Sequence, residues 1–116
     1  MIEPLVLARI KGLAGGRVYP GVAPPGTRPP YVTYRRVSGA RDWTIAGPSG
    51  ALTAAVQVSA WAGTPKEAAE IMEAAFGLLW LAGDDFACTG ADDVPAEDDE
   101  ITTRLHGAAM EFFFIR

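Results

Sequence analysis

Ala51-Leu52-Thr53-Ala54-Ala55-Val56-Gln57-Val58-Ser59-Ala60-Trp61-Ala62-Gly63-Thr64-Pro65-Lys66-Glu67 sets the plan of the chain. Leu52, Ala54, Val56, Val58 and Ala60 fall on one side of it, and Thr53, Gln57, Ser59 and Trp61 on the other. That is the two-residue period of a strand with one buried face. At Thr64 the chemistry changes. A threonine hydroxyl can accept from the free amides of a helix start, proline suits the first helical position, and Glu67 can reach back to complete a capping box. The helix so begun runs to about residue 81, with Ala68, Ile71, Met72, Ala75, Phe76 and Leu79 along one stripe and Lys66, Glu70 and Glu73 on the wet side. Gly83 is its expected stop. A one-faced strand that feeds a one-faced helix predicts a sheet with helices packed on it.

Upstream, Tyr31-Val32-Thr33-Tyr34-Arg35-Arg36-Val37 is aromatic and β-branched enough for a second strand, interrupted at Ser38-Gly39. A weaker strand is expected over 42–46, leading to a turn at Gly47-Pro48-Ser49-Gly50. Residues 22–30 hold four prolines and a glycine, too stiff for a helix and too poor in donors for a central strand, so they read as an extended arm. Arg17-Val18-Tyr19 is a brief extended piece stopped by Pro20-Gly21. Residues 3–11 predict a short first helix with Pro4 in its first turn. Downstream, a short strand is expected over 85–89, an acidic loop over 90–100, and a final strand or pair of strands over 101–116. The apolar end Phe112-Phe113-Phe114-Ile115 requires burial in the sheet or under a partner. The expected fold is α+β: a single domain, residues 1–116, with a mostly antiparallel sheet flanked by two helices.

At 116 residues and 49% hydrophobic content the chain supports one core and not two. A net charge of -4 weighs against a free-standing nucleic-acid binder. Its lone cysteine, Cys88, cannot form an internal disulfide, which points to a reducing compartment. The apolar run Leu5-Val6-Leu7-Ala8 ends at Arg9 and is too short for a signal peptide, and no stretch reaches the roughly 20 apolar residues of a membrane span. A cytosolic product is expected. The charges are also segregated. Arg9, Lys11, Arg17, Arg28, Arg35, Arg36 and Arg41 occupy residues 9–41 with no acidic residue among them. Asp84, Asp85, Asp92, Asp93, Glu97, Asp98, Asp99 and Glu100 occupy residues 84–100 with no basic one. In a single molecule these are two solvated patches; in a ring of identical subunits each would meet its opposite on the neighbour.

No constellation for catalysis emerges. His106 is the sole histidine and lies in an expected strand, so a structural role outweighs general acid–base work. Cys88 lacks a second cysteine for metal spacing. Gly47-Pro48-Ser49-Gly50 lacks the Lys-Ser/Thr ending of a phosphate loop. The acidic run has the right chemistry for a hard cation, but its spacing is not that of an EF-hand and Pro95 splits it, so a solvated or interface-facing loop is the better reading. Tyr31, Tyr34, Arg35 and Arg36 have the composition of a single-strand nucleic-acid platform, yet alternating Tyr and Arg are ordinary strand residues. The sequence therefore predicts no enzyme, no cofactor and no metal site.

Several stretches resemble one family closely: Arg17-Val18-Tyr19-Pro20, Ala23-Pro24, Pro30-Tyr31-Val32-Thr33-Tyr34, Val37-Ser38-Gly39, and Val56-Gln57-Val58-Ser59-Ala60-Trp61 followed by a capped helix with Ala68-Ala69 near its start. Together they are similar to the small tail-completion or tail-terminator proteins of long-tailed bacteriophages. The resemblance implies Tyr19, Pro20, Tyr31, Tyr34, Gln57 and Trp61 as structural motif positions. It implies a non-catalytic virion protein that caps the tail tube, usually as a hexameric ring, stops tube growth and offers a surface for head joining. The implied partners are other copies of the chain, the major tail tube protein and a head–tail connector or neck protein. DNA would pass through the ring without sequence-specific binding, and no membrane is involved. The implied location is the head-proximal end of the virion tail, with assembly in the bacterial host cytoplasm. On this reading Arg28, Pro29, Pro30, Arg35, Arg36 and Arg41 are interface candidates. Asp92, Asp93, Glu97, Asp98, Asp99 and Glu100 are candidates for a channel-lining or interface loop. The alternatives are a head-completion or neck protein, a small enzyme built on His106, and a module that accepts a peptide at a strand edge.

Overall fold

The computed structural model describes residues 3–44, 47–81, 86–94 and 105–115. Helix α1 (Glu3–Ile10) leads through a single 3-10 turn (Leu13–Gly16) into strand β1 (Val18–Pro20). The arm follows, then β2 (Tyr31–Thr44), β3 (Gly47–Ala62), helix α2 (Pro65–Leu79), β4 (Ala87–Val94) and β5 (His106–Ile115). The strands form one sheet in the order β1-β2-β3-β5-β4. Only β1 and β2 run parallel; every other pair is antiparallel. The result is the α+β architecture that the sequence predicts, with a mixed, mostly antiparallel sheet.

Both helices cover the same face. Val6 and Ile10 of α1 and Met72, Ala75 and Leu79 of α2 pack with Val32, Tyr34, Val56, Val58, Met110, Phe112 and Phe114 of the strands. At about 1.5–3 kcal/mol for each large apolar side chain taken fully out of water, this single layer carries most of the folding drive. Thr64 caps α2 as expected: its Oγ1 accepts from the Glu67 amide at 3.2 Å, with Pro65 in the first turn. β1 is tied down by the Val32 amide donating to the Arg17 carbonyl at 2.8 Å and the Gly21 amide donating to the Tyr34 carbonyl at 2.9 Å.

Three sequence expectations are corrected. Ser38-Gly39 does not end a strand; β2 continues to Thr44, and the extra residue Val37 is absorbed as a bulge between Arg36 and Ser38. Gly47-Pro48-Ser49-Gly50 is not the turn but the start of β3, since Thr44 pairs with Gly47 and Trp43 with Pro48. A proline is tolerated there because, among the described residues, the strand has no further partner on its other side at that level. The acidic loop begins later than expected, because β4 runs to Val94 and places Asp92 and Asp93 in the ladder opposite Glu111 and Met110. Acidic residues are acceptable on an edge strand, where their side chains stay in water.

The paired hairpin overhangs the rest of the sheet. β5 accompanies β3 only as far as Thr53, opposite Ile115, and β1 leaves β2 at Tyr34. Beyond Thr53 the two long strands pair with each other alone among the described residues. This makes the molecule elongated, with extents of 53 × 23 × 23 Å and a radius of gyration of 15.1 Å, against about 13 Å for a compact chain of this length. No described helix is long and apolar enough to cross a membrane.

Candidate functional site

The face of the sheet away from the helices carries an ordered polar row. Register places Arg35 opposite Gln57, Gln57 opposite Glu111, and Glu111 opposite Asp92, so the four side chains share one face at one level of four adjacent strands. Arg35 Nη2 donates to Gln57 Oε1 at 3.4 Å, and Gln57 Nε2 to Ser59 Oγ at 3.4 Å. The row runs from a cation at one margin to two carboxylates at the other. Glu111 and Asp92 are directly opposed like charges, an arrangement that destabilises a sheet unless a cation comes near. Glu111 and its place in this row are missed by reading the sequence for charge runs, because it stands alone among apolar residues. The two-residue periods of β3 and β5, laid side by side, are the signal that would find it.

On the helix-covered face, the Nε of Arg36 lies 3.1 Å from Glu3 Oε1. Glu3 Oε2 is buried with no hydrogen-bond partner among the described residues. The same carboxylate adds to burial in raising the phenol of Tyr34 above its ordinary value, burial being the larger cause. Asp93, opposite Met110, sits on this face at the outer margin of β4.

The arm packs back on the domain rather than standing away from it. Arg17 Nε donates to the Pro30 carbonyl at 2.8 Å, and Thr27 Oγ1 donates to the Pro24 carbonyl. A cleft of about 370 Å³ lies between the arm residues Val22, Pro24 and Pro29 and the side chains of Tyr31 and Leu105. Arg28 and Pro29 are exposed and Pro30 is half-buried. Arg41 belongs to the overhanging hairpin, opposite Leu52. Thus the basic candidates are not one patch: Arg35 and Arg36 lie on opposite faces of β2, and Arg28 and Arg41 lie in separate elements. Of the acidic candidates, Asp92 and Asp93 are exposed on β4, while Glu97, Asp98, Asp99 and Glu100 lie outside the described residues. The motif positions are structural in placement. Tyr19 pairs with Thr33 and Pro20 with Tyr34 in the β1–β2 ladder, Tyr31 faces Trp61, and Tyr34 and Trp61 are buried.

A further surface was not legible in the sequence. Leu78, Trp80 and Leu81, at and just past the end of α2, are 41%, 52% and 49% exposed and lie off the buried stripe of the helix. Trp80 and Phe76 border a shallow groove of about 330 Å³ with Cys88, Thr89, Gly90 and Ala91 of β4. Exposed apolar groups gathered in this way make the surface a candidate for contact with another protein. His106 begins β5 opposite Ala62, and no group of three His, Cys, Asp or Glu residues gathers as a metal site among the described residues.

Comparison with known proteins falls on the whole domain rather than on any one of these surfaces. Residues 6–112 match the family described as tail completion protein gp17. Among solved structures, a chain from the virion of a native gene transfer agent particle is similar, with a TM-score of 0.54 and 17% identity over 93% of this chain and 82% of that one. At that identity the likeness bears on the fold. No curated protein matches the sequence.

Proposed function

The chain belongs to the tail completion protein gp17 family, and on that premise we propose that it caps the end of a phage tail tube as a hexameric ring. The family is one of structural virion proteins, not a class of enzyme. The single observation that carries the finer reading is the match over residues 6–112, which takes in most of α1, all of α2 and nearly all of the sheet. The fold shared with a chain of a gene transfer agent virion supports placing the protein in a tailed particle.

In this role the ring ends tube growth by occupying the surface on which the next tube subunit would stack. Its opposite surface receives the head–tail connector. Three features suit such work. The overhanging β2–β3 hairpin offers a projecting ribbon, and an isolated two-stranded ribbon is marginal in water without something to rest on. The exposed Leu78, Trp80 and Leu81 offer an apolar patch for a protein neighbour. The segregated charges suit contacts between identical subunits. DNA passes through the channel without sequence-specific contact, and carboxylates there keep the phosphates from sticking.

The test is recovery of tagged protein from particle-producing cells, read by negative-stain microscopy and mass spectrometry. Tubes carrying the tag at one end only, the end that meets the head, are expected. Portal-bearing heads without tubes would move the protein to the neck, and recovery with neither particle would overturn the virion role.

A further inference from the structure

We infer that neighbouring copies in the ring meet edge to edge, the β4 margin of one sheet against the β2 margin of the next, with Arg35 facing Asp92. This inference rests on the ring proposed above and names the surfaces that build it.

Four observations converge on these two margins. Among the described residues, β4 pairs only with β5, and β2 has no outer partner once β1 ends at the level of Tyr34. Among these residues both margins of the sheet are therefore unpaired. Their levels also match. Asp92 lies at the level of Arg35, and Ala87, through Ile115 and Thr53, at the level of Ala40. From Arg35 to Ala40 β2 is uncovered by β1, and residues 87–92 of β4 can lie beside it without an axial shift, as a planar ring requires; Asp93 and Val94 stand at the levels of Tyr34 and Thr33, which β1 covers.

Direction agrees as well. β4 runs antiparallel to β5, β5 to β3 and β3 to β2, so β4 is antiparallel to the β2 of a second copy in the same orientation. Finally, the charges are complementary on the helix-free face, where Arg35 and Asp92 stand at the same level. Arg36 and Asp93 share the helix-covered face but stand two register steps apart, and Arg36 is already paired with Glu3. All four are exposed. A neighbour's Arg35 would bring a cation to the opposed carboxylates of Asp92 and Glu111, which the single chain leaves beside each other.

The contact is heterologous, since two different margins meet, and a heterologous contact that closes on itself makes a ring. Bulges at Val37 in β2 and Thr89 in β4 lie one register step apart. They break what would otherwise be two long flat edges, so side-chain charge rather than a continuous backbone ladder selects the partner. This explains how open margins are kept from unselective pairing.

The test uses particles from producing cells that carry Arg35→Cys and Asp92→Cys together, with Cys88→Ala. Within one chain the two positions are three strand spacings apart, about 14 Å, which is beyond the reach of a disulfide. Every disulfide between them must therefore join two copies. Mild oxidation should give a ladder of covalent oligomers rising to the full ring, whereas either single cysteine should stop at pairs. Charge exchange provides a second reading that does not depend on disulfide geometry. Arg35→Asp or Asp92→Arg alone should lower the yield of capped tails by about tenfold or more, and the two together should restore it. Asp92→Arg sets an arginine opposite Glu111, so the single variant has no cause to misfold. Rings visible at tail ends without a covalent ladder and without charge rescue would overturn the edge assignment while the ring stands. Single copies or symmetric pairs at tail ends would overturn the ring, and the edge contact with it.

Discussion

Among the described residues, the phenol of Tyr34 is a titrating group whose protonation is set by the fold. It is buried on the helix-covered face of β2, and burial first, then the nearby Glu3 carboxylate, raise it above the ordinary value of 10.0. A native state that holds this proton more tightly than the unfolded chain is fully stabilised below the unfolded value and loses that contribution as pH rises through the raised one. Unfolding midpoints in urea are therefore expected to fall from about pH 10 upward, and Tyr34→Phe should flatten that fall. An equally steep decline in both proteins would assign the alkaline loss to other groups. At the other end of the sheet, adjacent phenylalanines give a paired comparison. Phe112 is fully buried between β3 and β4, whereas Phe113 points to the helix-free face and is half-buried. Phe112→Ala should cost about 3–5 kcal/mol by lost transfer energy and residual cavity. Phe113→Ala should cost about half of that or less, and equal losses in chemical denaturation would place both rings in one core.

At the scale of elements, helix α2 is the case where local chemistry and tertiary demand agree. Thr64 satisfies the Glu67 amide, Pro65 fills the first turn, and Ala68, Met72, Ala75 and Leu79 meet the sheet. Removing the cap with Thr64→Ala is expected to lower stability by about 1 kcal/mol, with Thr64→Asp retaining it. A melting comparison that found both variants alike would assign the helix start to packing alone. The cap, the stripe and the buried face of β3 were all legible because each follows a period or a pair of adjacent residues. The extent of β2 and of β4 was not. Ser38-Gly39 resembles a strand end locally, and Asp92-Asp93 resembles a loop, but strand length in a sheet is decided by the partner. β3 holds β2 past its glycine, and β5 holds β4 past its aspartates. The site was harder still. Arg35, Arg36, Asp92 and Asp93 were found as members of charge runs, yet their division between two faces depends on register, and the bulge at Val37 alone returns Ser38 to the face of Arg35. Glu111 and the exposed Trp80 left no trace in composition, because their meaning depends on what lies opposite or outside them.

At the scale of the whole molecule, the overhang of the β2–β3 hairpin separates what the domain needs to fold from what it offers to partners. Residues 41–44 and 47–52 pair only with each other among the described residues, extending about 13 Å past the last rung shared with β5. An isolated two-stranded ribbon contributes little to stability. The chain nevertheless bears the ordering cost of about 1–2 kcal/mol for each residue held in strand geometry. A segment with that balance is a candidate for contact with something outside the chain, as proposed above. Replacing residues 41–52 with Asn-Gly, a pair suited to a tight hairpin on the rung of Ala40 and Thr53, should leave a monomer that melts within a few degrees of the full chain. The same protein should fail to mark tail ends in the recovery experiment. A large fall in melting temperature would make the hairpin part of the folding unit. Unchanged tail capping by the shortened protein would move the tube contact to the apolar end of α2, where Trp80→Ala then becomes the variant that decides.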